Sequence, residues 1–190
     1  YAVSHYGDSF YIVTNWKAQN FRLMKTPTGR GTKENWQEVI PHREDVFLED
    51  IELFDDFLVA EEREEGLTRL RVINRKSGEE HYIDFGEEAY SAYVSTNPEM
   101  DSRTLRYGYS SLTTPQSIYD YNMDIQKREL KKREEVLGGF NPEDYQTKRL
   151  WAEANDGEKI PMSVVYKKGI ELDGSNPTLL YGYGSYGITI

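Results

Sequence analysis

Asp8-Ser9-Phe10-Tyr11-Ile12-Val13-Thr14-Asn15 and, 47 residues further on, Asp55-Asp56-Phe57-Leu58-Val59-Ala60-Glu61-Glu62 share one pattern of polar opening, β-forming run and polar close. A looser third copy, Ser102-Arg103-Thr104-Leu105-Arg106-Tyr107-Gly108-Tyr109, starts another 47 residues on and alternates apolar with polar from Leu105. Alternation at every second position is what a half-buried strand requires, because successive side chains point to opposite faces. After a short polar turn each copy is followed by a second alternating strand, at Phe21 to Thr26, Leu67 to Ile73 and Ile118 to Met123. Candidate outer strands come next at Trp36 to Ile40, His81 to Phe85 and Leu130 to Val136. Candidate inner strands precede each unit, the clearest being Ala89 to Ser95. The repeating object is a four-stranded antiparallel sheet.

A period in the high forties suits propeller blades, whose sheets pack face to face around an axis. Helical repeats of that length would need apolar residues at i, i+3, i+4 and i+7 over long windows, and the period here is two. A β-sandwich of the same short strands is the alternative. In a propeller, Phe57, Val59, Leu70 and Val72 include residues that pack against the next blade. Composition shifts at Leu137-Gly138-Gly139-Phe140-Asn141-Pro142, where Gly-Gly and Asn-Pro interrupt any strand. The expected organisation is mainly β, with a partial propeller of about three blades over residues 1–139 and the first strands of a second domain over 140–190. In that second part, Lys148 to Ala154 and Lys159 to Tyr166 flank Asn155-Asp156-Gly157, a hairpin signal because Asp-Gly tolerates positive φ. Pro177-Thr178-Leu179-Leu180-Tyr181 reads as a short buried strand of the kind that opens a helix-covered sheet.

Composition narrows the partners. The 190 residues carry 33 acidic and 23 basic side chains, a net charge of -10. Such a chain repels polyphosphate and offers no basic stripe for counterion release, so nucleic acid is not an expected partner. No apolar run approaches the roughly 20 residues that span a bilayer, so no membrane is expected either. Cys is absent, which excludes disulfides and thiolate metal sites and fits a reducing, cytoplasmic setting. The chain starts at Tyr1 rather than Met, which says nothing about a signal peptide.

The nucleophile elbow G-x-S-x-G does not occur. His5, His42 and His81 are scattered and read as structural or surface histidines, and no metal or cofactor is expected. Glu61-Glu62-Arg63-Glu64-Glu65 reads as a solvated loop, with steering of a basic peptide as the alternative. Tyr181-Gly182-Tyr183-Gly184-Ser185-Tyr186-Gly187 is the most informative stretch. Its glycines satisfy G-x-G-x-x-G after a predicted strand, so a dinucleotide loop is one reading. Three tyrosines among the glycines would crowd a pyrophosphate, and they suit the lining of a pocket where a phenol donates to an oxyanion. A third reading is a tight turn with packed rings.

The order of these features resembles the prolyl oligopeptidase family. Blade repeats are followed by Gly139-Phe140-Asn141-Pro142-Glu143-Asp144-Tyr145, by Ala154-Asn155-Asp156-Gly157-Glu158-Lys159-Ile160-Pro161-Met162, and by Leu180-Tyr181-Gly182-Tyr183-Gly184-Ser185-Tyr186-Gly187. Tyr-Gly-Tyr-Gly-Ser-Tyr-Gly, with Ala18-Gln19-Asn20-Phe21-Arg22-Leu23, is most similar to the oligopeptidase B branch. The resemblance implies a propeller capping an α/β-hydrolase domain whose Ser-Asp-His triad cleaves short peptides after Arg or Lys. None of the triad is in this chain, so the chain alone is expected to be inactive and to depend on the remaining propeller and hydrolase portions of a longer parent. By resemblance, Tyr183 donates its hydroxyl to the oxyanion hole, and Tyr186 lines the pocket for the residue before the scissile bond. Prolyl-specific members carry Phe at the position of Tyr186. A non-catalytic binding propeller and a nucleotide-binding protein are the competing functions, separable by whether G-x-S-x-G follows in the parent.

Overall fold

Side-chain alternation in β6 (Phe57–Glu64) sorts its residues between two neighbours. Phe57 and Val59 point into one buried cluster, while Leu58 and Ala60 point into another. Its sheet is therefore covered on both faces, as a propeller blade is. The computed structural model describes residues 1–185, which form three four-stranded antiparallel sheets and one hairpin. Blade 1 is β1 (Ala2–Tyr6), β2 (Ser9–Thr14), β3 (Arg22–Pro27) and β4 (Gln37–Ile40). Blade 2 is β5 (Val46–Leu53), β6, β7 (Leu67–Asn74) and β8 (Glu80–Tyr82). Blade 3 is β9 (Tyr90–Val94), β10 (Thr104–Ser111), β11 (Ser117–Asn122) and β12 (Lys127–Arg133). Within each sheet the strands lie in chain order, so every strand pairs with its neighbours in sequence.

Two seams hold the blades. Tyr11, Val13, Leu23 and Ile40 meet Leu48, Leu53, Leu58 and Ala60 between blades 1 and 2. Between blades 2 and 3, Phe57, Val59, Leu70 and Val72 meet Leu105, Tyr107, Tyr109 and Tyr121, with Phe85 stacked on Tyr109 at 5.4 Å. The set Phe57, Val59, Leu70 and Val72, expected to include residues that face the next blade, lies wholly in this seam. The 47-residue step from Asp8 to Asp55, however, is not the structural repeat. Tyr11 and Val13 face blade 2 as Phe57 and Val59 face blade 3, so equivalent positions of β2 and β6 lie an even number of residues apart. An odd step would reverse every side chain. Phe54 N–H donates to the Phe57 carbonyl, so the Asp55-Asp56 turn corresponds to the Gly7-Asp8 turn between β1 and β2, and the sequence motif is one residue out of step with the structural repeat.

Three other readings are corrected. Glu61 to Glu64 are strand residues of β6 rather than a loop. The third outer strand starts earlier than Leu130, because Asn122 Oδ1 accepts from the N–H groups of Asp124 and Ile125 and closes the turn at once. The outer strand of blade 2 ends at Tyr82, after which Ile83 and Phe85 turn into the seam with blade 3.

Beyond blade 3, β13 (Tyr145–Glu153) and β14 (Lys159–Lys167) pair over nine positions. The turn is the expected one: Gly157 takes φ 89 and its N–H donates to the Ala154 carbonyl. Among the described residues no helix is long and apolar enough to cross a membrane.

Candidate functional site

After β14 the chain runs through turns without joining a sheet. Asp173 Oδ1 accepts from the Ser175 N–H and hydroxyl at 2.9 and 2.6 Å, and Asn176 Nδ2 donates to the Glu171 carbonyl at 2.7 Å. Pro177 to Tyr181 is not a strand, and Leu179 and Leu180 are 91% and 88% exposed. A strand exists only by pairing its backbone groups, and no described residue lies beside this segment to pair with it. Tyr183 is half exposed, and its hydroxyl has no hydrogen-bond partner among the described residues. A Cβ on Gly182 or Gly184 would meet open space. Tyr186 and Gly187 lie outside the described residues. The described structure therefore does not join Tyr183 to other chemical groups.

What it does assemble is the side of the blades that faces the hairpin. The turn between β6 and β7 (Glu65-Gly66) and the β8–β9 connection lie there, and Arg149 of β13 reaches both. Glu87 on that connection accepts hydrogen bonds from the hydroxyls of Tyr109 at 2.7 Å, Thr114 at 2.8 Å and Thr113 at 3.3 Å. Burial alone would raise its pKa, but hydrogen bonds from Ser111, Tyr109, Thr114 and Thr113 outweigh that and hold the carboxyl below its ordinary range. A crevice between the hairpin and the blade 2 rim is lined by Glu65, Gly66, Trp151, Lys159 and Pro161.

Beneath this rim sits a charge cluster that the sequence reading missed. Glu62 is fully buried and accepts from Arg71 Nη2 at 2.6 Å, Arg43 Nη2 at 2.5 Å and the Tyr82 hydroxyl at 2.9 Å. Burial works against the charge on Arg43, yet hydrogen bonds to Tyr82 and Glu62 leave its pKa raised. The signal was present: Glu62 stands two residues beyond Ala60 and four beyond Leu58, on the face those residues bury. Two of the histidines make structural contacts, with His81 Nε2 2.8 Å from the Tyr121 hydroxyl and His5 against the Phe10 ring, while His42 Nε2 is buried with no hydrogen-bond partner among the described residues. Among the described residues no cluster of three or more His, Asp or Glu is placed to hold a metal.

Blades of this order, continued by a Gly-Gly linker and a hairpin, define one class of protein, a propeller attached to a second unit. Residues 1–134 match the family model described as prolyl oligopeptidase, N-terminal beta-propeller domain, and the chain belongs to the prolyl oligopeptidase family. It is 42% identical to dipeptidyl aminopeptidase BI of Pseudoxanthomonas mexicana and 32% identical to protease 2 of Moraxella lacunata, over 100% and 98% of its own length. It spans about a quarter of those relatives, 26% of each. Among solved structures, oligopeptidase B from Leishmania major superposes over the whole chain with a TM-score of 0.88 at 34% identity. The closed form of oligopeptidase B from Trypanosoma brucei with covalently bound antipain gives 0.87 at 35%. The chain covers 28% of each of these structures. The fold is thus a portion of the family's β-propeller, followed by a two-stranded hairpin.

Proposed function

We propose that the parent protein is a serine oligopeptidase that cleaves short peptides after Arg or Lys, and that residues 140–190 begin its α/β-hydrolase domain. The observation that carries this reading is the family propeller followed, in the family's order, by Tyr181-Gly182-Tyr183-Gly184-Ser185-Tyr186-Gly187. In this reading the blades cap the hydrolase domain, Tyr183 donates to the oxyanion and Tyr186 contacts the residue before the scissile bond. The Ser, Asp and His that form and hydrolyse the acyl-enzyme come from parent sequence outside this chain, which by itself turns nothing over. A chain without Cys suits a cytoplasmic enzyme.

One observation favours a second specificity: 42% identity to a protein named dipeptidyl aminopeptidase. The parent protein should be assayed with N-terminally blocked Arg and Lys arylamides and with unblocked dipeptidyl arylamides. Turnover of the blocked basic substrates, abolished by a serine-directed inhibitor, supports the proposal. Cleavage of unblocked dipeptides alone supports dipeptide release. No turnover of either, or of prolyl substrates, would leave a binding propeller.

A further inference from the structure

Blades stacked face to face around an axis cover one another's faces and leave each outer strand at the circumference. The outer strands of blades 1 and 2 are short and carry no Lys or Arg: β4 has four residues and β8 three. β12 is different. It has seven residues, all exposed, and five of them are basic: Lys127, Arg128, Lys131, Lys132 and Arg133. It is the last strand of its sheet, so one row of its backbone groups has no strand to pair with among the described residues. Such an edge is a template for another extended chain.

These cations stand out in a chain of net charge -10, and their own sheet does not neutralise them. Asp120, opposite Glu129 in the ladder, is already held by Arg106 through Nε at 2.7 Å and Nη2 at 2.8 Å. Arg128 and Arg133 turn back onto the propeller, Arg128 donating to the Asp84 carbonyl at 3.2 Å and Arg133 to the Tyr119 hydroxyl at 2.9 Å. The lysines stay outside. Lys131 forms an ion pair with Glu129 of the same strand at 3.0 Å, and Lys127 and Lys132 have no hydrogen-bond or ion-pair partner among the described residues. Lys131 is also the extra residue where the β11–β12 register shifts between Ile118 and Tyr119. A bulge and a row of lysines both oppose pairing with an identical edge, the one by geometry and the other by like charge. The same lysines favour a strand that carries carboxylates. Nucleic acid or an anionic membrane would bring its charge against the rest of this acidic chain, whereas a short peptide stays within the roughly 8 Å over which charges act at physiological salt.

We propose that β12 is a docking edge for an acidic, extended segment of a partner protein, which adds as a fifth strand with its carboxylates beside Lys127, Lys131 and Lys132. Opposite charges across a strand pair contribute up to about fivefold each in affinity, so the association is weak, reversible and screened by salt. Docking at this edge does not depend on which peptides the parent cleaves.

The test is fluorescence anisotropy on the whole parent protein, with a labelled peptide of alternating Glu and Thr long enough to span β12 and without Lys or Arg to be cleaved. The wild type is expected to bind it at low salt. Lys127→Gln combined with Lys131→Gln and Lys132→Gln should bind at least about tenfold more weakly, and the same three positions changed to Arg should bind as the wild type does. A peptide with Gln in place of Glu should not bind, and neither should an N-methylated version, which lacks the donors that a fifth strand needs. No binding by the wild type, or equal binding by the triple Gln variant, overturns the proposal and leaves the lysines as guards against edge-to-edge aggregation. Equal binding of the N-methylated peptide overturns strand addition. Tighter binding of single-stranded DNA or of phosphatidylserine vesicles than of the peptide overturns the assignment of a peptide partner.

Discussion

Asp56 and Arg103 stand 47 residues apart, each beside the start of the second strand of its blade, and meet across the seam with Arg103 Nη1 donating to Asp56 Oδ2 at 2.6 Å. Arg103 also grips Asp124 through Nε at 2.5 Å and Nη2 at 2.6 Å, and Lys76 pairs with Asp56. The hydrogen bond to Asp124 is the main reason that the Arg103 pKa is raised, and Lys76 is the main cause holding Asp56 below its ordinary range. The network lies on the side of the blades away from the hairpin. Exposed pairs contribute little and are screened by salt. Arg103→Ala is therefore expected to lower the thermal midpoint of the parent protein slightly at low ionic strength, with the difference shrinking in about 1 M salt. A salt-independent loss would mean that Arg103 acts through its packing over the Phe57 ring, 5.6 Å away.

Glu62 presents the opposite case. Its carboxylate is fully buried, and removing it leaves Arg71, only 8% exposed, with the half-exposed Glu80 carboxylate at 3.1 Å as its remaining ion-pair partner in the blade 1–2 seam. Glu62→Ala should destabilise the parent by about 3–5 kcal/mol, read from chemical denaturation. The paired replacement Glu62→Leu with Arg71→Met should recover much of that loss, because a buried ion pair is often no better than apolar packing of similar volume. A double variant as unstable as Glu62→Ala would mean that Arg43 and Tyr82 need the carboxylate for themselves.

Much of the blade architecture was legible because period-two alternation survives in the strands that pack on both faces. What misled was charge. The run Glu61 to Glu65 looks like solvent-facing sequence, yet its alternate members point into two different seams, and burial of Glu62 is made tolerable only by arginines distant in sequence. The acyl-transfer candidates were legible only by motif. Leu179, Leu180 and Tyr181 have the composition of a buried strand, but burial and pairing come from neighbours in space, which local sequence does not supply.

Glu61 gives a pH-dependent prediction. Burial is the main cause raising its pKa, with Glu49 and Asp50 adding to it against the Val94 N–H, which donates to Oε2 at 2.9 Å. A folded-state pKa above the unfolded one means that the native state binds the extra proton, so stability falls as pH rises through that window. Glu61→Gln keeps a carbonyl acceptor for Val94 and removes the charge. It should raise the thermal midpoint at pH 7, and the gain should vanish once the pH drops below the ordinary carboxylate range. A gain that persists unchanged at acid pH would rule out this electrostatic origin.

Gly108 reports on a close approach rather than on backbone freedom. A Cβ there would lie 2.1 Å from the ring of Tyr93, its cross-strand partner on β9. Tyr93 is 41% exposed and can swing aside, at the cost of the hydrogen bond its hydroxyl accepts from Gln116 Nε2 at 3.1 Å. Gly108→Ala should therefore cost only about 1 kcal/mol, at the low end for overpacking. The same substitution in a Tyr93→Ala background should cost nothing, and an equal loss in both backgrounds would place the clash elsewhere.

Tyr183 is the residue whose proposed role is most directly separable from folding. Its side chain is half exposed and without a hydrogen-bond partner among the described residues, so Tyr183→Phe removes one hydroxyl and leaves the thermal midpoint of the parent where it was. If that hydroxyl donates to the developing oxyanion, the interaction is stronger in the transition state than in the ground state, and kcat falls while KM changes little. A single oxyanion donor is typically worth about 10²–10³ in kcat. Steady-state kinetics on a basic arylamide, with acylation shown to limit the rate, would read this directly. An unchanged kcat under those conditions would reduce Tyr183 to a wall of the pocket, and a rise in KM alone would assign it to substrate binding.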